Sequence, residues 1–281
     1  MNLLHDLFSR LPFEWAQFAF MRHALLAVLM ISPLFALIGT LVVNNRMAFF
    51  SDAIGHASLT GLGLGVILGL ADPLWALVGF AVLLGVGIFA LQRFTRSTMD
   101  TVISLSMCVS IALGVVLLSR GGNFNRYSSY LIGDLLSITS REIVQLLVTS
   151  LLVGGGLLFG YNRILLIGLN ESLAGSRGRN TWWPQMLFCA TIALVVTMNL
   201  SWVGILIINS LLVLPAAAAR NLANDTRQYV MLAVAISLFC GVTGLIASFY
   251  ANTATGATIV LVSAGCYAAT LGMKWFRARA G

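Results

Sequence analysis

The sequence predicts an all-α integral membrane protein, a bundle of about 8–9 transmembrane helices with a broken or re-entrant segment ahead of a polar cytoplasmic element. Three observations predict it. Of the 281 residues, 59% are apolar and 9% charged, whereas an ordinary soluble domain carries roughly 25% charge. Sixteen bases and nine acids leave a soluble globule of this length with large bare apolar patches. The apolar residues also fall into runs long enough to cross ~30 Å of hydrocarbon. Finally, 27 glycines and 10 methionines suit helices that approach closely in lipid.

Taken in order, residues 1–19 are interrupted by Asp6 and Glu14, so they lack the apolar core of a cleavable leader and read as an interfacial segment. Residues 20–275 hold the helices. Single spans are expected at 20–43, 53–70, 74–91, 101–118, 143–160, 230–250 and 257–273. Between the fourth and fifth, 130–137 is too short to cross, and Asp134 reads as a turn or capping residue. Thr139 with Glu142 three residues on makes a capping box that opens the next helix. The stretch 182–219 is too long for one span and is interrupted at 199–202, so it is either two short spans or a broken hairpin lining a cavity. No soluble domain or linker interrupts the chain, which reads as one domain over 1–281.

Charge orients the helices. Arg93 and Arg96, then Arg163, Arg177 and Arg179, then Arg220 and Arg227, then Lys274, Arg277 and Arg279 mark four segments. The positive-inside rule turns these to the cytoplasm and places the C-terminus there. Arg120 and Arg126 strain the rule by falling outside, and the N-terminal side stays open. The net charge of +7 is therefore a topology signal: the bases form no stripe that would grip nucleic acid. The cysteines, Cys108, Cys189, Cys240 and Cys266, lie singly in apolar runs without ligand spacing and read as small core residues.

Chemistry concentrates at the start of the second span. Asp52, His56 and Thr60 recur every four residues, so a helix lines them along one stripe. Beside them Ala53, Ala57, Gly61, Gly65 and Gly69 form a stripe small enough for backbone-to-backbone packing. A carboxylate and an imidazole one turn apart can chelate a transition metal. The competing reading makes Ser51 or Asp52 an N-cap and leaves His56 bonded to a carbonyl. His56 lies one to two turns into the span, where capping does not require it, and ionisable groups inside spans are functional by default. Two ligands do not fill a coordination shell, so a twofold partner would complete it, and an incomplete shell suits release. His5 and His23 read as interfacial residues.

A second segment, 204–220, ends in Pro215, four alanines and Arg220, followed by Asn221, Asp225 and Arg227. Proline bends or ends the helix, and the bases place a short polar helix at the cytoplasmic face, open to a soluble partner or simply a charged loop. Asn209 and Ser210 either line a path or bond a neighbouring helix. The chain lacks GxxxxGK[ST], so it holds no ATP by a P-loop of its own, and it lacks HExxH. Apart from Asp52 and His56 no acid, base or nucleophile constellation suggests an enzyme.

Four motifs in order, SDAIGHASLTG, YLIGDLLSIT, SLLVLPAAAAR and ATGATIVLV, resemble the membrane permeases of metal-ion ABC importers, zinc-uptake permeases first and the manganese and iron members next. The resemblance runs from about residue 46 to 269. It implies a permease in the bacterial cytoplasmic (inner) membrane that binds no cofactor and carries a divalent metal, zinc by likeness. It implies three partners besides membrane lipid: a cytoplasmic ABC ATPase, an extracytoplasmic metal-binding protein and a second permease subunit, as a homodimer. On this likeness Asp52 and His56 coordinate the metal, and 216–228, with Pro215, Arg220, Asn221, Asp225 and Arg227, is the coupling element that meets the ATPase. Thr60 stands where many members carry proline, and with Asn209 and Ser210 it is a pathway candidate. Transport would be alternating access, weakening as pH falls because ligation needs a neutral imidazole. An ATPase-independent secondary transporter is the rival, opposed by the scarcity of acids within the spans.

Overall fold

A computed structural model describes residues 14–70, 72–95, 97–120, 133, 135–169 and 181–280. They form helices α1 (Glu14–Gln17), α2 (Ala19–Asn44), α3 (Phe50–Ile67), α4 (Leu74–Thr95), α5 (Met99–Arg120), α6 (Ser140–Leu169), α7 (Trp182–Val203), α8 (Ile205–Leu222), α9 (Thr226–Ala251) and α10 (Thr255–Ala280), and no strand among the described residues. All but α1 and α3 are long and apolar enough to cross a bilayer. The chain is an all-α, multi-pass membrane protein. The expectations for Asp6, Arg96, Arg126, residues 130–132, Asp134, Arg177, Arg179 and His5 lie outside the described residues.

Local chemistry sets the helix ends. At α6 the Thr139 amide donates to Glu142 Oε2 at 2.7 Å while the Glu142 amide donates back to Thr139 Oγ1 at 3.4 Å, the expected capping box. Asp225 caps α9 by accepting from the Gln228 amide at 2.7 Å, and Gln228 Oε1 accepts from the Asn224 amide at 2.8 Å. Asn252 ends α9 in the left-handed conformation that asparagine tolerates.

Two expectations are corrected. The break in 182–219 is at Gly204, not at 199–202. Asn199 stays helical because its amide donates to the Val195 carbonyl at 2.6 Å, and Gly204 breaks the helix with φ 83° and ψ 151°, a conformation that only glycine adopts readily. The polar element is also not a separate helix. Pro215 lies inside α8, which continues through the alanines and Arg220 to Leu222, and only Ala223, Asn224 and Asp225 separate it from α9. Proline is tolerated inside membrane helices because neighbouring groups satisfy the freed carbonyl. Of the cysteines, Cys189 and Cys240 are buried as expected, but Cys108 is exposed because it lies on the outer face of α5.

The chain divides into two compact units. The first comprises Met1–Thr40, Asp134–Gly154 and Asn209–Gly281. Here α9 packs on α10, with Gly244 so close to Ile259 that an added Cβ would lie 2.7 Å from its Cα. Ser237 Oγ donates to the Ser32 carbonyl of α2 at 3.1 Å, and Asn221 Nδ2 of α8 donates to Thr270 Oγ1 of α10 at 3.4 Å.

The second unit comprises Leu41–Gly133 and Gly155–Ile208. Within it α3 packs against α4, α5 and α7, and α4 packs against α5 and α7. The small stripe of α3 makes this possible. A Cβ at Gly61 would come 2.7 Å from Leu77 Cα, and one at Gly65 would come 3.0 Å from Ala76 Cβ. From the other side a Cβ at Gly114 of α5 would meet the Thr60 amide at 2.9 Å. At 18 residues α3 is ~27 Å long. It falls short of the hydropathy of the eight candidate spans, and most of it is buried in protein, so its serines and glycines need not face hydrocarbon.

Candidate functional site

The first turn of α3 carries the acid. Phe49 is the N-cap and makes no side-chain capping bond, and Asp52 stands in the first turn. Neither Ser51 nor Asp52 therefore caps the helix. Ser51 is fully buried, and its hydroxyl has no hydrogen-bond partner among the described residues.

Over residues 50–63 every side chain of α3 is buried except two, Asp52 and His56. His56 Nε2 and Asp52 Oδ1 lie 3.5 Å apart, with the side chains 35% and 33% exposed respectively. The helix is thus closed on all sides but one, and that side presents an imidazole and a carboxylate together. A tetrahedral ion with bonds of ~2.0–2.2 Å holds adjacent donors about 3.4 Å apart. The observed separation is close to that spacing and is also within the contact range of a direct His–Asp ion pair. Among the described residues no third His, Cys, Asp or Glu joins the pair to make a metal-binding group.

Thr60 continues the stripe in register but not in exposure. It is fully buried, and its hydroxyl donates to the Ser110 carbonyl of α5. His23 interacts with Ser140 Oγ at 3.5 Å in the first unit. That unit also contains Asn209, half-buried, and Ser210, buried, both held by polar interactions. Pro215 is buried and Asn221 half-buried, whereas Arg220, Asp225 and Arg227 are exposed around the α8–α9 turn. Sequence reasoning passed over Asn44, Asn45, Gln92 and Gln185, which line a cavity in the second unit. The polar triplet Asn44-Asn45-Arg46 directly after an apolar span was the available signal.

A family model described as the ABC 3 transport family matches residues 17–274. The chain is 30% identical over 249 residues to the high-affinity zinc uptake system membrane protein ZnuB of Haemophilus influenzae, spanning 88% of this chain and 95% of that protein. It is 28% identical over 248 residues to the manganese transport system membrane protein MntC of Listeria innocua, spanning 88% of each. The structure of PsaBC from Streptococcus pneumoniae in complex with Fab matches with a TM-score of 0.77 at 23% identity, over 96% of this chain and 95% of that one, a likeness of fold.

Proposed function

The chain belongs to the ABC 3 transport family, and on that premise we propose that it is the permease of an ATP-binding cassette importer that moves a divalent transition metal, zinc before manganese or iron, into the cytoplasm. The observation that carries this reading is that, over residues 50–63 of α3, only Asp52 and His56 are open, with the donors 3.5 Å apart. The names of relatives support the cargo class, one zinc and one manganese. Zinc is placed first on likeness alone, to a relative named for high-affinity zinc uptake.

Asp52 supplies an anionic oxygen and His56 a neutral ring nitrogen, and together they replace part of the ion's water shell. Each chain brings two ligands, so a second copy related by a twofold axis would add two more. A shell assembled across such an axis comes apart when the subunits move, which releases the ion. The chain itself is no enzyme in this reading: a cytoplasmic ATPase hydrolyses ATP and drives alternating access. The exposed turn at Arg220, Asp225 and Arg227 is the coupling element, and Asp225 and Gln228 cap the helix that follows it. An extracytoplasmic binding protein delivers the metal on the opposite face. The C-terminus lies in the cytoplasm with Arg277 and Arg279.

The test is uptake. The permease, purified with its ATPase, is reconstituted into proteoliposomes and zinc uptake is measured for wild type, Asp52→Ala and His56→Ala. Each substitution is expected to lower ATP-driven uptake at least tenfold, about 1.4 kcal/mol of lost transition-state or binding stabilisation. Uptake at the wild-type rate in both variants removes the assigned site, and uptake that ignores nucleotide favours a secondary transporter.

A further inference from the structure

We infer that the second unit holds a binding site for the phosphate headgroup of an anionic phospholipid, centred on Arg46. A cavity of about 400 Å3 opens where α2, α4 and α6 end and α5 and α7 begin. Its polar side is made by Arg46 and the amides of Asn44, Asn45, Gln92 and Gln185, with no acidic residue among the described lining residues. Phe89, Met99 and Phe188 make part of its apolar side. Among the described lining residues, one cation, several amide donors and an apolar wall are the complement of an amphiphilic anion rather than of a metal ion, which Arg46 would repel. The positive-inside reading turns this end to the cytoplasmic leaflet, where anionic lipids concentrate and basic pockets between spans collect their headgroups.

The backbone at Arg46 is the second, independent observation. The Met47 amide donates to the Val42 carbonyl at 3.0 Å and the Arg46 amide to the Val43 carbonyl at 3.3 Å, the paired bonds of a Schellman helix end. Arg46 occupies the left-handed position of that motif with φ 56°, where glycine is the favoured residue. The helix end alone would be served better by glycine, so the guanidinium is kept there for its side chain. Its neighbours hold fixed positions: Asn44 Nδ2 donates to the Leu165 carbonyl at 3.3 Å and Asn45 Nδ2 to the Leu41 carbonyl at 2.8 Å. Each amide nitrogen carries a second N–H that a ligand oxygen can accept from.

Native mass spectrometry of the full chain, released from detergent with equal phosphatidylglycerol and phosphatidylcholine, tests this without any transport assay. Wild type is expected to retain phosphatidylglycerol about fivefold over phosphatidylcholine, the equivalent of ~1 kcal/mol. Arg46→Gly should abolish that preference without lowering the thermal unfolding temperature, since glycine relieves the left-handed backbone, and Arg46→Lys should keep most of it. Equal phosphatidylglycerol retention by wild type and Arg46→Gly overturns the site. Complete displacement of the lipid by millimolar inorganic phosphate overturns the lipid assignment in favour of a free anion.

Discussion

Thr60 and Gly61 are adjacent on α3 and carry opposite expectations. Thr60→Val removes one hydroxyl bond to the Ser110 carbonyl. Side-chain bonds between membrane helices average ~0.6 kcal/mol, so the variant should unfold slightly earlier and import at the wild-type rate. Gly61→Val places a branched side chain against Leu77 Cα, where even a Cβ would approach to 2.7 Å. Backbone cannot yield as a side-chain tip can, and overpacking of this kind commonly costs ~1–3 kcal/mol or more. Its expected signature is a large fall in thermal stability with loss of uptake, read by fluorescence-detected unfolding of the purified chain. At this scale the site pair was legible because a four-residue spacing fixes a helical stripe from sequence alone. The burial of Thr60 was not, because it depends on Gly114 admitting α5 from a distant part of the chain.

Among elements, the α7–α8 junction shows what a polar residue does and does not signal. Asn199 looked like an interruption, yet a long apolar helix absorbs it by bonding it to Val195. Gly204, unremarkable in composition, breaks the helix because of its backbone. Gly204→Ala forces a side chain into φ 83°, and ~1–3 kcal/mol of strain should appear as a lower unfolding temperature. Gly204→Asn should lose at least as much, because asparagine's tolerance of positive φ is confined to the left-handed helical region and does not reach ψ 151°. The α8–α9 turn makes a separate prediction. Asp225→Ala removes the α9 cap and should cost ~1 kcal/mol. If the turn transmits force from the ATPase, the same variant should also uncouple ATP hydrolysis from uptake, whereas Glu142→Ala at the α6 capping box should reduce stability alone. The α6 box was legible from a Thr-x-x-Glu spacing. The absence of a separate polar helix was not, since proline inside a membrane helix leaves no local mark distinguishing a kink from a stop.

For the whole molecule, low charge announced a membrane protein, but composition alone did not show that α3 is largely buried. That helix looked like one span among several. It falls short of the hydropathy of the other spans and is largely buried within the second unit, with Asp52 and His56 half-exposed near its start. Cargo identity belongs to this scale, because in the proposed site a single chain would supply only two ligands. Zinc and manganese supplied together to the reconstituted importer should give uptake dominated by zinc, and manganese dominance would point to an octahedral shell with added water or carboxylate ligands.

The most direct measurement of the central claim is X-ray absorption at the zinc edge of the metal-loaded permease–ATPase complex, for wild type and His56→Ala. Coordination by the α3 pair predicts a nitrogen and oxygen shell with imidazole outer-shell scattering that vanishes in the variant. An unchanged imidazole signature in His56→Ala, or a sulfur-dominated shell in wild type, would contradict it.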